Sequence, residues 1–348
     1  MKAARFYRVG EPLVVEEIPT PDPGPGEVLV RVMACGVCGS DIHILYEGVT
    51  PTAFTPITLG HEPAGMVEKL GPGVTGFALG DRVSMCCFIV CGSCINCKTG
   101  NQQVCLNRKC IGIQAEGALA EFLLIPAENL VLLPDNVPFE QGAIITDAVA
   151  TPFHALFAVG QMKPGETVAV FGVGGLGIHG VALARLGGAG KVIAVDVRPA
   201  ALAKAAARGA DLTINAAEQD PVAAIAEATG GLGADLAVEL VGRAKSIGQA
   251  VECLRVGGRA AVAGLGPEPI TTLPPVQFVR REAKLLGSYG FTQSEIATLV
   301  NLVASGRLDL APSIDLKLPL SEVNQAMDRL HKKIDDPVRI VVMPHGVN

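Results

Sequence analysis

Cys91, Cys94, Cys97 and Cys105 follow the pattern C-x2-C-x2-C-x7-C in a stretch rich in Gly, Lys and Asn. Thiolates at this spacing can converge from a loop with little core of its own, and tetrahedral zinc suits them. An iron–sulfur cluster is the rival, because ferredoxins also space cysteines two apart, but the placing of the fourth ligand favours zinc. Four thiolates close the coordination sphere, so such a metal holds a loop together and does no chemistry. Cys86, Cys87 and Cys110 fall outside the spacing and read as packed thiols.

A second set is more scattered. Cys38 in ACGVCGSDIH and His61-Glu62 in LGHEPAG offer a thiolate and an imidazole, about one strand and loop apart. A third anionic ligand would complete a metal site with an open position, the arrangement of catalytic zinc. Asp147 is the candidate, because it stands in the apolar stretch GAIITDAVATPFH, where an unpaired carboxylate is costly to bury. Taken singly, each residue has a plainer reading: a packed thiol, a core histidine, a helix cap.

The third motif is Gly172-x-Gly174-x-x-Gly177, spelled GVGGLG with Gly175 and Leu176 inside it. It follows the apolar run 167–171 and opens a helix, the context in which the motif binds a dinucleotide. Gly172 permits the tight turn, Gly174 a close approach to pyrophosphate, and Gly177 close packing of helix on strand. The helix N-terminus then offers free N–H groups to phosphate. Asp196 ends the next strand, where it can accept both ribose hydroxyls and repel a 2′-phosphate, so NAD is expected over NADP. Arg198, two residues on, is a guanidinium that could accommodate that phosphate.

These residues need two kinds of scaffold. The first third of the chain alternates apolar and polar residues in short runs (24–33, 64–69, 121–125) broken by Gly and Pro clusters, the texture of an antiparallel β unit with long loops. From about residue 150, apolar runs (167–171, 191–195, 236–240, 259–263) alternate with helix-like stretches (176–186, 200–208, 246–254), which predicts a six-stranded parallel sheet covered on both faces. Two helices (294–305, 320–332) and a strand (338–343) follow and are assigned to the first unit. A length of 348 residues suits two domains.

Composition excludes several classes. Apolar residues make up 49% and charged residues 18% of the chain, which rules out disorder, and no apolar run reaches the roughly 18 residues of a bilayer span. The formal charge of −6, with basic residues scattered, leaves no footprint for nucleic acid or an anionic membrane. The N-terminus carries no secretory signal pattern, and clustered cysteines suit thiolates in a reducing compartment, so a cytoplasmic protein is expected.

GVCGSDIH, GHEPAG, the four-cysteine loop and GVGGLG stand in an order and spacing that resembles the zinc-dependent medium-chain alcohol dehydrogenases, across essentially the whole chain. The resemblance implies an α/β protein with a GroES-like β-rich catalytic domain (1–148 and 290–348) and a Rossmann doubly wound NAD-binding domain (149–289). It implies two zinc ions per chain. Many members carry a second cysteine where this chain has Asp147, and in this it looks like the branch that includes bacterial secondary-alcohol dehydrogenases. Glu62 would sit behind the catalytic metal, as a hydrogen-bonding residue or a transient ligand. The resemblance further places Thr151, Val241, Val262 and Gly264 beside the nucleotide. It implies a proton relay from Ser40 through the cofactor ribose to His43, which would pass the proton to solvent.

The implied reaction is reversible hydride transfer between a small-molecule alcohol, secondary or cyclic, and its ketone or aldehyde. A polyol or primary alcohol, or NADP-linked carbonyl reduction, is the alternative. Apolar Phe54, Ile57 and Phe88 suggest a hydrophobic substrate pocket. His154 reads as packing, His179 has no evident partner, and His331 and His345 read as surface residues. A homodimer or homotetramer is implied, by edge pairing of strand 285–289. Zinc-free quinone or enoyl reductases share the glycine motif but lack the Cys38, His61 and Asp147 set, and a non-catalytic relative would show damage to it.

Overall fold

The computed structural model describes residues 1–347 and divides into two compact units: Met1–Ala148 with residues 291–347, and Val149–Gly290. Gly290, expected in the first unit, belongs to the second.

The first unit is built on a seven-stranded sheet. Its path runs Leu130–Leu132, Arg82–Met85, Glu62–Leu70, Glu27–Val37, Arg339–Met343, Ile314–Pro319, and Phe122–Pro126 also pairs with Glu27–Val37. Glu27–Val37 is longer than the run 24–33 suggests, because it continues through small and apolar residues that are almost all buried. Register does the positioning. Gly36 pairs with Glu62 and Cys35 with Pro63, so Cys38, just past the end of one strand, and His61, just before the start of the next, come to the same corner of the sheet. Val37 pairs with Ile340 on the other side, which brings Arg339 to that corner too. Gly36 cannot be larger here, since a Cβ would stand 2.0 Å from Glu62 Oε2.

Asp147 arrives from a different direction. It lies in a π-helical turn, Ile145–Val149, within the helical run Phe139–Val159. Such turns insert one extra residue into the helix and often mark functional sites. Among the described residues this run is the one helix long and apolar enough to cross a membrane, and 72% of its most apolar window is buried inside the protein, as in a core helix of a globular fold.

The second unit is a six-stranded parallel sheet: β1 (Thr167–Phe171), β2 (Lys191–Asp196), β3 (Leu212–Asn215), β4 (Ala234–Glu239), β5 (Leu254–Val262) and β6 (Lys284–Gly287), in the order 3-2-1-4-5-6. Helices α1 (Gly177–Leu186), α2 (Pro199–Ala207), α3 (Pro221–Ala228) and α4 (Ala244–Glu252) connect the first five strands. The order reverses between β1 and β4, the crevice where open α/β sheets bind ligands. Val168, Ala169, Val192, Ile193, Leu236 and Ala237 are fully buried, as strands covered on both faces require. The architecture is therefore GroES-like plus Rossmann-like. The sequence reading did not locate β3 and α3. β3 is only LTIN, too short and polar to stand out, whereas α3 carried a readable start: the Asp220 side chain accepts from the Val222 N–H and Pro221 opens the first turn.

Candidate active site

The four cysteines of the loop meet. Cys94 Sγ lies 3.5 Å from Cys97 Sγ and 3.9 Å from Cys105 Sγ, and Cys105 Sγ lies 3.5 Å from Cys91 Sγ. Zinc–sulfur bonds of about 2.3 Å set tetrahedral sulfur separations of roughly 3.8 Å, so the cage has the size zinc needs. Backbone N–H groups point at the sulfurs: Cys94 N donates to Cys91 Sγ and Asn107 N to Cys105 Sγ, both at 3.4 Å. Donors from Ser93 and Cys94 hold the Cys91 thiol down at about 5, the thiolate side of neutral pH. Cys97 runs the other way, pushed up to about 12 by burial and its sulfur neighbours. All ten cysteines are free thiols.

The second cluster forms at the sheet corner. One ligand atom each from Cys38, His61, Glu62 and Asp147 lies within 4.8 Å of the others. Asp147 Oδ2 is 3.1 Å from Cys38 Sγ and 3.7 Å from His61 Nε2. The corner is largely buried: Cys38 and His61 are 4% exposed, Glu62 is fully buried, and Asp147 keeps partial exposure. Burial pushes the Cys38 thiol up, and Asp147 adds to that. Burial pulls His61 down, but Asp41 and then Asp147 override it and hold the imidazole well above its ordinary value. Glu62 is pushed up to about 8 by burial against the pull of Arg339. Three potential anions, with Asp41 behind them, thus face one guanidinium and one imidazole. A divalent cation among a thiolate, an imidazole and a carboxylate would relieve that imbalance, and the donor set is zinc's.

Two residues here were not anticipated. Asp41 is fully buried; its Oδ1 lies 3.6 Å from His61 Nδ1 and its Oδ2 accepts from Cys38 N at 2.9 Å. One carboxylate thereby binds the Cys38 backbone and faces the inner ring nitrogen of His61, whose Nε2 is turned to the cluster. The signal was present, since Asp41 closes a capping box with Cys38 three residues earlier. Arg339 is 2% exposed; its Nη2 lies 3.0 Å from Glu62 Oε1 and its Nη1 donates to Val37 O at 3.3 Å. A lone cation in PVRIVVM was the clue. Ser40 Oγ lies 3.0 Å from His61 Nε2. His43 is 39% exposed and sits 3.9 Å from Glu47.

The three apolar residues expected at a substrate wall stand in different settings. Ile57 is fully buried in a strand opposite Phe6, and Phe54 is largely exposed. Phe88 packs on Phe291, with ring centroids 5.2 Å apart, and lines a different cleft with Gln102, Glu128 and Asn129.

In the second unit the glycines sit where contact demands them. Gly172 has φ +82, and a Cβ there would meet Val241 Cγ2 at 2.5 Å; a Cβ on Gly177 would meet Gly172 O at 1.8 Å. At Gly174 the nearest atom is the mobile end of Arg198, 3.2 Å away, so that glycine's space faces outward. Asp196 Oδ2 accepts from Val173 N at 2.9 Å, and its Oδ1 accepts from Val197 N and Arg198 N and pairs with the Arg198 guanidinium at 3.3 Å. His179 does have a partner: its Nδ1 is 3.0 Å from Gly175 O, which ties α1 to the glycine turn. His154 is buried. His331 stacks on Tyr46, with centroids 4.3 Å apart, and His345 lies against Phe122.

Comparison with known proteins agrees with both halves. Residues 24–135 match the alcohol dehydrogenase GroES-like domain, and residues 175–305 match the zinc-binding dehydrogenase family. An alcohol dehydrogenase of Geobacillus stearothermophilus is 35% identical over 95% of this chain and 96% of its own. An L-threonine 3-dehydrogenase of Pyrococcus horikoshii is 35% identical over 86% of each chain. A zinc-binding dehydrogenase of Sinorhizobium meliloti, solved bound to NADP, superposes with TM-score 0.91 at 32% identity over 99% of each chain.

Proposed function

The chain belongs to the zinc-dependent medium-chain alcohol dehydrogenase family, and on that premise we propose that it moves hydride reversibly between a secondary or cyclic alcohol and its ketone, with NAD as the carrier. The observation that carries this reading is the convergence of Cys38, His61 and Asp147 within reach of one ion, with Glu62 turned toward Arg339. Cys38, His61 and Asp147 would hold the catalytic zinc, and the four-cysteine loop a structural one. Bound there, zinc would supply Lewis acidity to a substrate oxygen and a nicotinamide the capacity to carry hydride.

The chain's own residues do the rest. Asp41 fixes the imidazole of His61, and Arg339 balances Glu62, which stays behind the ligands. Ser40, beside His61, receives the proton released by the alcohol, and half-exposed His43 hands it to water. Gly172, Gly174, Gly175, Leu176 and Gly177 cradle the pyrophosphate, Asp196 takes the adenosine ribose, and Thr151, Val241, Val262 and Gly264 lie along the nucleotide. The chain works in the cytoplasm as a homo-oligomer, for which the open edge of the sheet at β6 offers a seam.

Arg198 favours a second reading of the cofactor, since its guanidinium stands over Gly174 and beside Asp196, and the Sinorhizobium relative binds NADP. Threonine, the substrate in the name of the Pyrococcus relative, is the second substrate reading. Absorbance turnover with secondary, cyclic, primary and polyhydroxy alcohols and L-threonine, against each nucleotide, tests both. Fastest turnover of a secondary or cyclic alcohol with NAD is expected. Preference for L-threonine or for NADP overturns the corresponding part. Arg198→Ala separates the cofactors: if the guanidinium takes a phosphate, NADP-linked turnover falls by about tenfold or more while NAD-linked turnover holds.

A further inference from the structure

Glu239 ends β4, next to the point where the strand order reverses, and its side chain is wholly buried. The turn after it, Leu240-Val241-Gly242, leaves two successive N–H groups pointing inward with no backbone acceptor. The carboxylate takes both: Oε1 accepts from Val241 N at 3.0 Å and Gly242 N at 2.9 Å, and Oε2 from Gly242 N at 3.2 Å. Ser246, in the first turn of α4, donates its hydroxyl to the same Oε1 at 2.7 Å. The main-chain carbonyl of Glu239 is as busy, accepting from Ala263 N at 2.8 Å and Gly264 N at 3.1 Å.

The turn so held is packed backbone against backbone. A Cβ on Gly264 would stand 2.1 Å from Gly242 N, and one on Gly266 would stand 1.9 Å from Gly242 O. Val241 closes on Gly172, yet is itself 42% exposed. The side chain thus holds the turn after β4, and through Val241 on Gly172 and Gly242 on Gly264 that turn meets the loops that end β1 and β5, the edge at which open α/β sheets receive dinucleotides. From this geometry we propose that Glu239 is a positioning residue for the nicotinamide dinucleotide, holding Val241 and the Gly242–Gly264 contact in the shape the nucleotide needs; the proposal rests on the nicotinamide reading above.

Without an acceptor at this place, the buried N–H groups of Val241 and Gly242 would turn toward water and carry the turn off Gly172 and Gly264. Glu239 does not touch the reacting atoms, so its loss belongs in nucleotide affinity rather than in chemistry. Burial already pushes its carboxyl above the ordinary value despite three donors, so a neutral acceptor of the same length can replace it.

The test uses the full chain as wild type, Glu239→Met and Glu239→Gln, with NADH and NADPH affinity read by fluorescence titration and melting temperature read without nucleotide. Methionine fills the space and leaves the two N–H groups unmet. It should weaken nucleotide binding by about tenfold and raise the nucleotide KM with little change in kcat, with a melting temperature a few degrees lower because both N–H groups lose their acceptor. Glutamine keeps an acceptor and should restore affinity to within about threefold. Wild-type affinity in Glu239→Met, or a glutamine variant as weak as the methionine one, overturns the proposal. If Glu239→Met does not fold, Ser246→Ala decides, with about threefold weaker binding at unchanged melting temperature expected and unchanged binding overturning it. Should wild type bind neither nucleotide, the nicotinamide reading falls, and the role of Glu239 falls with it.

Discussion

At the scale of single residues, the proposed function turns on Asp147 as the third ligand of the cluster. Its Oδ2 bridges toward both Cys38 and His61, and removing it leaves a thiolate and an imidazole to hold an ion that needs three protein ligands. Asp147→Ala should lower alcohol turnover by more than about 100-fold, beyond what loss of an orienting residue around a metal costs. Activity within a few-fold of wild type would remove Asp147 from the ligand set. Asp41→Asn should be milder, because the amide can still meet one of the two groups Asp41 supports; a loss of about 10- to 100-fold in activity is expected, with the fold intact by thermal melt.

At the scale of elements, two glycines only three residues apart should behave differently. Gly177→Ala drives a Cβ into the Gly172 carbonyl, and the clash should cost about 1–3 kcal/mol of stability as well as nucleotide affinity. Gly174→Ala meets only the movable Arg198 guanidinium, so the melting temperature should hold while nucleotide binding weakens, because the methyl occupies the space for the pyrophosphate. Equal loss of stability in both would refute the distinction. The four-cysteine loop makes a sharper case. Cys97→Ser should release one zinc and cost about 4 kcal/mol, or roughly 10 °C in melting temperature, because short elements such as Ile95–Lys98 have little core beneath them.

Legibility in the sequence followed locality. The zinc loop and the glycine turn were readable because their ligands and contacts lie within a few residues, where spacing encodes geometry. Cys38 and His61 were readable one at a time, but their meeting depends on the Gly36–Glu62 register, a pairing across 26 residues that no local pattern displays. Arg339 was missed because its partner Glu62 lies far away in the chain and is brought in by an adjacent strand. Phe88 shows the same limit: its type suits an apolar wall, while its packing on Phe291 depends on a residue about 200 positions away.

For the molecule as a whole, two units divide the work: one gathers soft and anionic ligands at a sheet corner, and the other presents a glycine turn, an acid and a buried carboxylate clamp at the edge of a parallel sheet. The central claim is that Cys38, His61 and Asp147 hold one zinc ion and the cysteine loop a second. Mass-spectrometric metal counting on dialysed wild-type and Asp147→Ala protein tests it most directly. About two zinc ions per chain are expected in wild type and about one in the variant; one in both, or two in both, would contradict the claim.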